Sequence, residues 1–109
     1  MASTALLTDR YELTMIDAAM LSGTHDRECV FEVFARRLPQ GRRYGVVAGT
    51  GRLLDAIAEF RFTDPELDFL REHAIVSDGA LGWLADYRFG GSVRGYGEGD
   101  LYFPGSPIL

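Results

Sequence analysis

A chain of 109 residues is one domain at most and can bury only about two thirds of the surface its unfolded form exposes. Its 47% hydrophobic and 25% charged residues are those of an ordinary globular protein, which excludes a disordered or fibrous chain. Sixteen acids against eleven bases give a net charge of -5, which offers no basic field for nucleic acid, and no run is long enough to span a bilayer. The amino-terminal stretch has no secretory pattern, so a cytoplasmic location with neither a nucleic-acid nor a membrane partner is the expectation.

The first element opens at "TDRYELTM". Asp9 followed three residues later by Glu12 has the spacing of a capping box, and the apolar pattern predicts a helix from there to about Leu21, with Gly23 as its stop. Tyr11, Met15 and Ala18 fall on one side of that helix, and Leu13, Ile16 and Met20 on an adjoining side. Tyr11 is either a core residue or a group beside the positive end of the helix, where an anion can also be held.

"CVFEVFA", residues 29–35, is rich in β-branched and aromatic residues on both alternating faces, as in a strand covered on two sides, and a buried reduced thiol is predicted at Cys29. "RRLPQGRR" then concentrates four arginines around Pro39 and Gly41, a candidate anion site in an otherwise acidic chain. "YGVVAGTGRLLDAIAEF" reads as a short buried strand, a glycine turn capped by Thr50, and a helix carrying Leu53, Leu54, Ile57 and Phe60. Its "AGTGR" lacks both the Walker lysine and the full dinucleotide fingerprint, so tight turning and close packing explain the glycines better than phosphate binding.

In "TDPELDFLREH" Asp64 can cap, Pro65 suits the first helical position and Glu66 the first turn. A further short helix is predicted around residues 81–87, with Trp83 and Leu84 available for packing. Glycine and β-rich runs on either side of "GEGD" predict a hairpin-like pair of 93–96 with 100–103. "FPGSPIL" reads as a segment entering another element, so a fragment is the expectation. His25, His73, Asp17, Glu28, Asp86, Glu98 and Asp100 show neither catalytic nor metal-site spacing.

Taken in order, "LLTDRYELTM", "FEVFARRLP", "YGVVAGTGRLLDAI", "WLADYRF" and "GYGEGDLYFPGSPIL" resemble the amino-terminal part of nicotinate phosphoribosyltransferase, bacterial members most of all. The resemblance implies an α/β fold with a mixed sheet, the amino-terminal domain of a type II phosphoribosyltransferase over residues 1–109, lacking the α/β barrel that would follow. It implies the joining of nicotinate to 5-phosphoribosyl 1-diphosphate with ATP hydrolysis and Mg²⁺, in NAD biosynthesis. It further implies a homodimer with a shared site in which Tyr11 stacks on the pyridine, Arg37 faces phosphates and Asp9 borders the site. For Arg37 a solvated surface arginine remains the alternative, and for Asp9 a helix cap.

With no catalytic or metal-binding residue assigned to it, the 109-residue chain alone is expected to be inactive, its partner being a second subunit or the missing barrel domain. Two alternatives stand beside this reading. One is a stand-alone, non-catalytic α/β docking module; the other is a sibling transferase using nicotinamide or quinolinate.

Overall fold

A computed structural model describes residues 3–109, which divide into two compact units. The first takes the described residues through Glu28 together with Ala58–Phe89; the second takes Cys29–Ile57 together with Gly90–Leu109. The elements along the chain are α1 (Arg10–Ser22), β1 (Gly45–Val46), α2 (Thr50–Glu59), α3 (Asp64–Glu72), α4 (Asp78–Asp86) and β2 (Leu101–Tyr102).

The first unit is helical and holds the hydrophobic core. Leu13 from α1, Leu67 and Leu70 from α3, and Ala80, Leu81 and Leu84 from α4 are buried together with Ala5, Phe62 and Val76. α1 ends as the sequence predicts, on Gly23 in the left-handed conformation at φ 70°, its amide returned to the carbonyls of Ala19 and Met20. Its apolar pattern, however, is only half used. Leu13, Ile16 and Met20 meet the core, whereas Tyr11 and Met15 are exposed, because the described neighbours of α1 cover one face.

The starts of α3 and α4 differ in detail from the sequence expectation. The cap of α3 is Thr63, one residue before Asp64, and the Glu66 carboxylate reaches back to accept from the Thr63 hydroxyl and, at 2.9 Å, from its amide. The Thr63 hydroxyl, then the backbone donors, hold the Glu66 carboxyl below the usual range. α4 begins three residues earlier than predicted, since the Ser77 side chain accepts from the Ala80 amide at 3.2 Å. Asp17 of α1 accepts in turn from the Ser77 amide at 2.8 Å and from its hydroxyl, tying α1 to the head of α4.

The second unit is largely extended chain. The buried strand expected at 29–35 is instead an exposed extended segment: Val30 and Phe31 are 88% and 87% exposed, and Cys29 is exposed as well. Val33 and Ala35 bond to the 105–109 stretch. The Val33 amide donates to the Leu109 carbonyl at 3.2 Å, Ile108 donates to Val33 at 2.7 Å, and Gly105 donates to Ala35 at 2.8 Å. Going forward from Val33 to Ala35 takes the partner backward, an antiparallel sense.

The "GEGD" turn forms, with the Gly97 amide held by the Asp100 carboxylate at 2.8 Å and Gly99 at φ 86°. The strand beyond it nevertheless pairs with β1, Gly45 opposite Tyr102 and Val46 opposite Leu101. Residues 93–96 are not its partner; the Tyr96 amide donates to the Ile108 carbonyl at 2.9 Å. β1 is two residues long, with Val46 half exposed and Val47 next to it buried. The chain therefore departs from an extensive mixed α/β sheet: its ordered elements are four helices and one two-stranded antiparallel pair among the described residues.

Candidate functional site

At the start of α1 the chain leaves an extended Asp9, at φ −78° and ψ 147°, for the first helical turn. The Glu12 amide donates to the Asp9 carbonyl at 3.1 Å, but the Asp9 carboxylate makes no capping hydrogen bond. The side-chain cap predicted for Asp9 is thus not made, and its carboxylate projects beside the helix start without that duty. Asp9, Arg10, Tyr11 and Thr14 line a surface cavity of about 520 Å³. Tyr11 is 60% exposed, so the core alternative for its ring is corrected. The Thr14 hydroxyl is turned back onto the Tyr11 carbonyl at 3.1 Å, which leaves the phenol ring as the broad apolar surface of the cavity.

This combination of groups fits a flat polar ligand. An aromatic face offers stacking, the Arg10 guanidinium a cation, and the Asp9 carboxylate an acceptor, all at the positive end of a 13-residue helix. Arg37 belongs to the second unit. It is exposed and lies in irregular chain between the extended 33–35 segment and the turn closed by the Arg42 amide on the Pro39 carbonyl at 3.0 Å.

The glycine turn before α2 is occupied from within the chain. The Glu98 carboxylate accepts from the Thr50 hydroxyl at 2.9 Å and from the amides of Gly49 and Gly51 at 3.0 and 3.3 Å. The hydroxyl, followed by the Gly51 and Gly49 amides, holds the Glu98 carboxyl below its ordinary value. Thr50 accordingly donates to Glu98, which replaces the cap predicted for it, and the amides a phosphate would need are taken. The sequence places Glu98 outside any catalytic or metal-site spacing, and the only signal for this contact is an acid in a glycine turn 47 residues from Gly51.

Both histidines are engaged locally. His25 Nε2 stands 3.3 Å from the Asp26 carboxylate with its ring edge-on to Trp83, and His73 Nδ1 meets the Phe69 carbonyl at 2.9 Å. Among the described residues no three of His, Cys, Asp and Glu are grouped to hold a metal ion, and no helix is long and apolar enough to cross a membrane.

Residues 6–109 match the family model described as the nicotinate phosphoribosyltransferase (NAPRTase) N-terminal domain. The chain belongs to that family. It is similar to nicotinate phosphoribosyltransferase pncB1 of Mycobacterium tuberculosis, with 55% identity over 104 residues that cover 95% of this chain and 23% of the relative. To pncB2 of the same organism it is 42% identical over 108 residues, covering 96% and 22%. To the nicotinate phosphoribosyltransferase of Bacillus subtilis it is 33% identical over 107 residues, covering 98% and 22%. The chain therefore spans less than a quarter of the length of these relatives. Membership bears out the family resemblance of the five sequence blocks and places the cavity at Tyr11 within an amino-terminal domain of this family.

Proposed function

We propose that this chain supplies the amino-terminal part of a nicotinate phosphoribosyltransferase acting in NAD biosynthesis, and that Tyr11 is its contribution to the nicotinate site. The observation that carries the reading is the exposed Tyr11 ring lining a cavity with Asp9 at the head of α1. The reaction is nicotinate + 5-phosphoribosyl 1-diphosphate + ATP + H2O to nicotinate mononucleotide + diphosphate + ADP + phosphate. The pyridine nitrogen forms a bond to the ribosyl anomeric carbon while the bond from that carbon to the diphosphate oxygen breaks and its electron pair leaves with diphosphate.

Positive charge develops on the sugar, so fixing the pyridine in line with the departing group is a large part of the task. A tyrosine face does this for a flat ring, and its hydroxyl reaches polar neighbours. Asp9 borders the same cavity, and Arg37 is assigned to the diphosphate, for which a guanidinium fork is suited. The site is completed by a barrel domain or by a second subunit of a homodimer, in the cytoplasm. Mg²⁺ and ATP enter with the family reaction, and the described residues form no three-ligand group for the metal.

The test is complementation. The 109-residue chain is mixed with the remainder of the Mycobacterium tuberculosis relative, beyond its matched segment, and product formation is followed with nicotinate, phosphoribosyl diphosphate, ATP and Mg²⁺. Tyr11→Ala lowers the rate at least tenfold, about what loss of one stacking and positioning contact costs, and Tyr11→Phe restores most of it. Full activity with Tyr11→Ala removes Tyr11 from the nicotinate site. The chain alone gives no product, and product from it would overturn the shared-site reading.

A docking role is the second reading, favoured by the exposed run of Val30, Phe31, Val33 and Phe34. Transfer to nicotinamide or quinolinate by the complemented enzyme, in preference to nicotinate, would assign the sibling activity.

A further inference from the structure

One polar tie in the first unit bears on the direction of the Tyr11 ring. Asp17, in the middle of α1, accepts from the Ser77 amide at 2.8 Å through one carboxylate oxygen and from the Ser77 hydroxyl through the other. The Ser77 hydroxyl oxygen itself accepts from the Ala80 amide at 3.2 Å, so the carboxylate grips the residue that caps α4, at the positive end of that helix. Two anchored oxygens fix the roll of α1 as well as its distance from α4, which a single hydrogen bond would leave free to swing.

α1 has need of such a fixture. Its contact with the core runs through Leu13, Ile16 and Met20, and apolar burial is non-directional. Thr14 and Ser22 of the same helix bond within their own stretch of chain, to the carbonyls of Tyr11 and Ala19. Tyr11, exposed at the helix head, therefore takes its direction from the helix that carries it. A roll of α1 by about 10° moves an atom at the rim of its side chains, about 6 Å from the axis, by about 1 Å. A misplacement of that size can cost about a hundredfold in rate.

We propose that Asp17 is a positioning residue for the transfer reaction: by pinning α1 to the head of α4 it fixes where the Tyr11 ring meets nicotinate. The inference rests on the assignment of Tyr11 to the nicotinate site. Asp17 does not line the Tyr11 cavity and stands six residues along the helix from Tyr11, about 9 Å of rise, so it acts through the ring and not on the substrate.

The complemented enzyme is assayed over a range of nicotinate concentrations with Asp17→Ala, Asp17→Asn and Tyr11→Ala, and with Asp17→Ala and Tyr11→Ala combined. Asp17→Ala lowers kcat/KM for nicotinate about tenfold and leaves KM for phosphoribosyl diphosphate unchanged. Asp17→Asn, which keeps an acceptor oxygen for Ser77, restores most of the activity. In the Tyr11→Ala background Asp17→Ala costs less than about twofold, because the ring it places is already gone. In the 109-residue chain alone, residual dipolar couplings of the backbone amides report a changed angle between α1 and α4 in Asp17→Ala, while circular dichroism checks that the helices persist. A tenfold loss that is the same with and without the Tyr11 ring, or an α1 that keeps its direction in Asp17→Ala, would overturn the proposal. Tyr11→Ala without effect sinks the nicotinate reading together with this one, whereas a loss on Tyr11→Ala beside full activity in Asp17→Ala sinks this one alone.

Discussion

The two units of this small chain spend their apolar residues in opposite ways. In the first, leucines from three helices are buried together, Leu70 and Leu84 almost completely, and each helix start is fixed by a side chain or a backbone contact. In the second, Val47 is the one buried hydrophobic residue among those described, while Val30, Phe31, Phe34, Tyr44 and Phe103 remain open to solvent. The second unit is held mainly by backbone pairs and by the Glu98 contacts. Apolar sequence therefore does not by itself make a core; the geometry of the neighbours decides whether a valine or phenylalanine stabilises the fold or is left as surface.

The sharpest test of that contrast is Leu70→Ala, which empties a fully covered position and costs about 3 kcal/mol in denaturant unfolding. Asp17→Ala removes the acceptor of the Ser77 amide and hydroxyl and costs about 1 kcal/mol, because the pair is exposed and water replaces part of it. Leu54→Ala, in the part of α2 that belongs to the second unit and on a helix with no buried residue, changes stability by less than about 0.5 kcal/mol. A loss near that of Leu70→Ala would show that the second unit has a core of its own.

The smallest effect is local and depends on pH. Glu98 and Glu66 both have carboxyls held below the ordinary glutamate range, so their contributions are fully present above the unfolded pKa and are lost as pH falls through the lowered folded values. On acidification through the lowered carboxylate range, after correction for intrinsic rates, hydrogen exchange at the Gly49 and Gly51 amides therefore accelerates as Glu98 is protonated and lets go. Glu98→Gln removes this pH dependence. An unchanged profile in that variant would place the titrating group elsewhere.

Much of the first unit was legible because its signals are local. Gly23 stops α1, Pro65 opens α3, and Leu13, Ile16 and Met20 mark the buried face at helical spacing. Asp9 shows the limit of such signals, since its spacing to Glu12 was that of a capping box and the hydrogen bond is not made. The second unit was read poorly because its bonds join residues far apart in sequence. The alternation in 29–35 announces extended chain, but nothing local says that Val33 will meet Ile108. Likewise "GEGD" announced a turn without saying that β1, rather than 93–96, would receive the strand after it.

At the candidate site the helix start is legible in "TDRYELTM", whereas the exposure of Tyr11 follows from which face of α1 the core covers.

The interleaving of the units has a kinetic consequence. Leu13 must wait for α3 and α4 before its core exists, and Val47 bonds to Gly99 and Asp100, so each unit closes only after the intervening chain of the other has been synthesised. Such non-local closure carries a loop entropy that local helices escape. On the ribosome, the helical unit is complete in sequence at Phe89, whereas the extended unit also needs Gly90–Leu109.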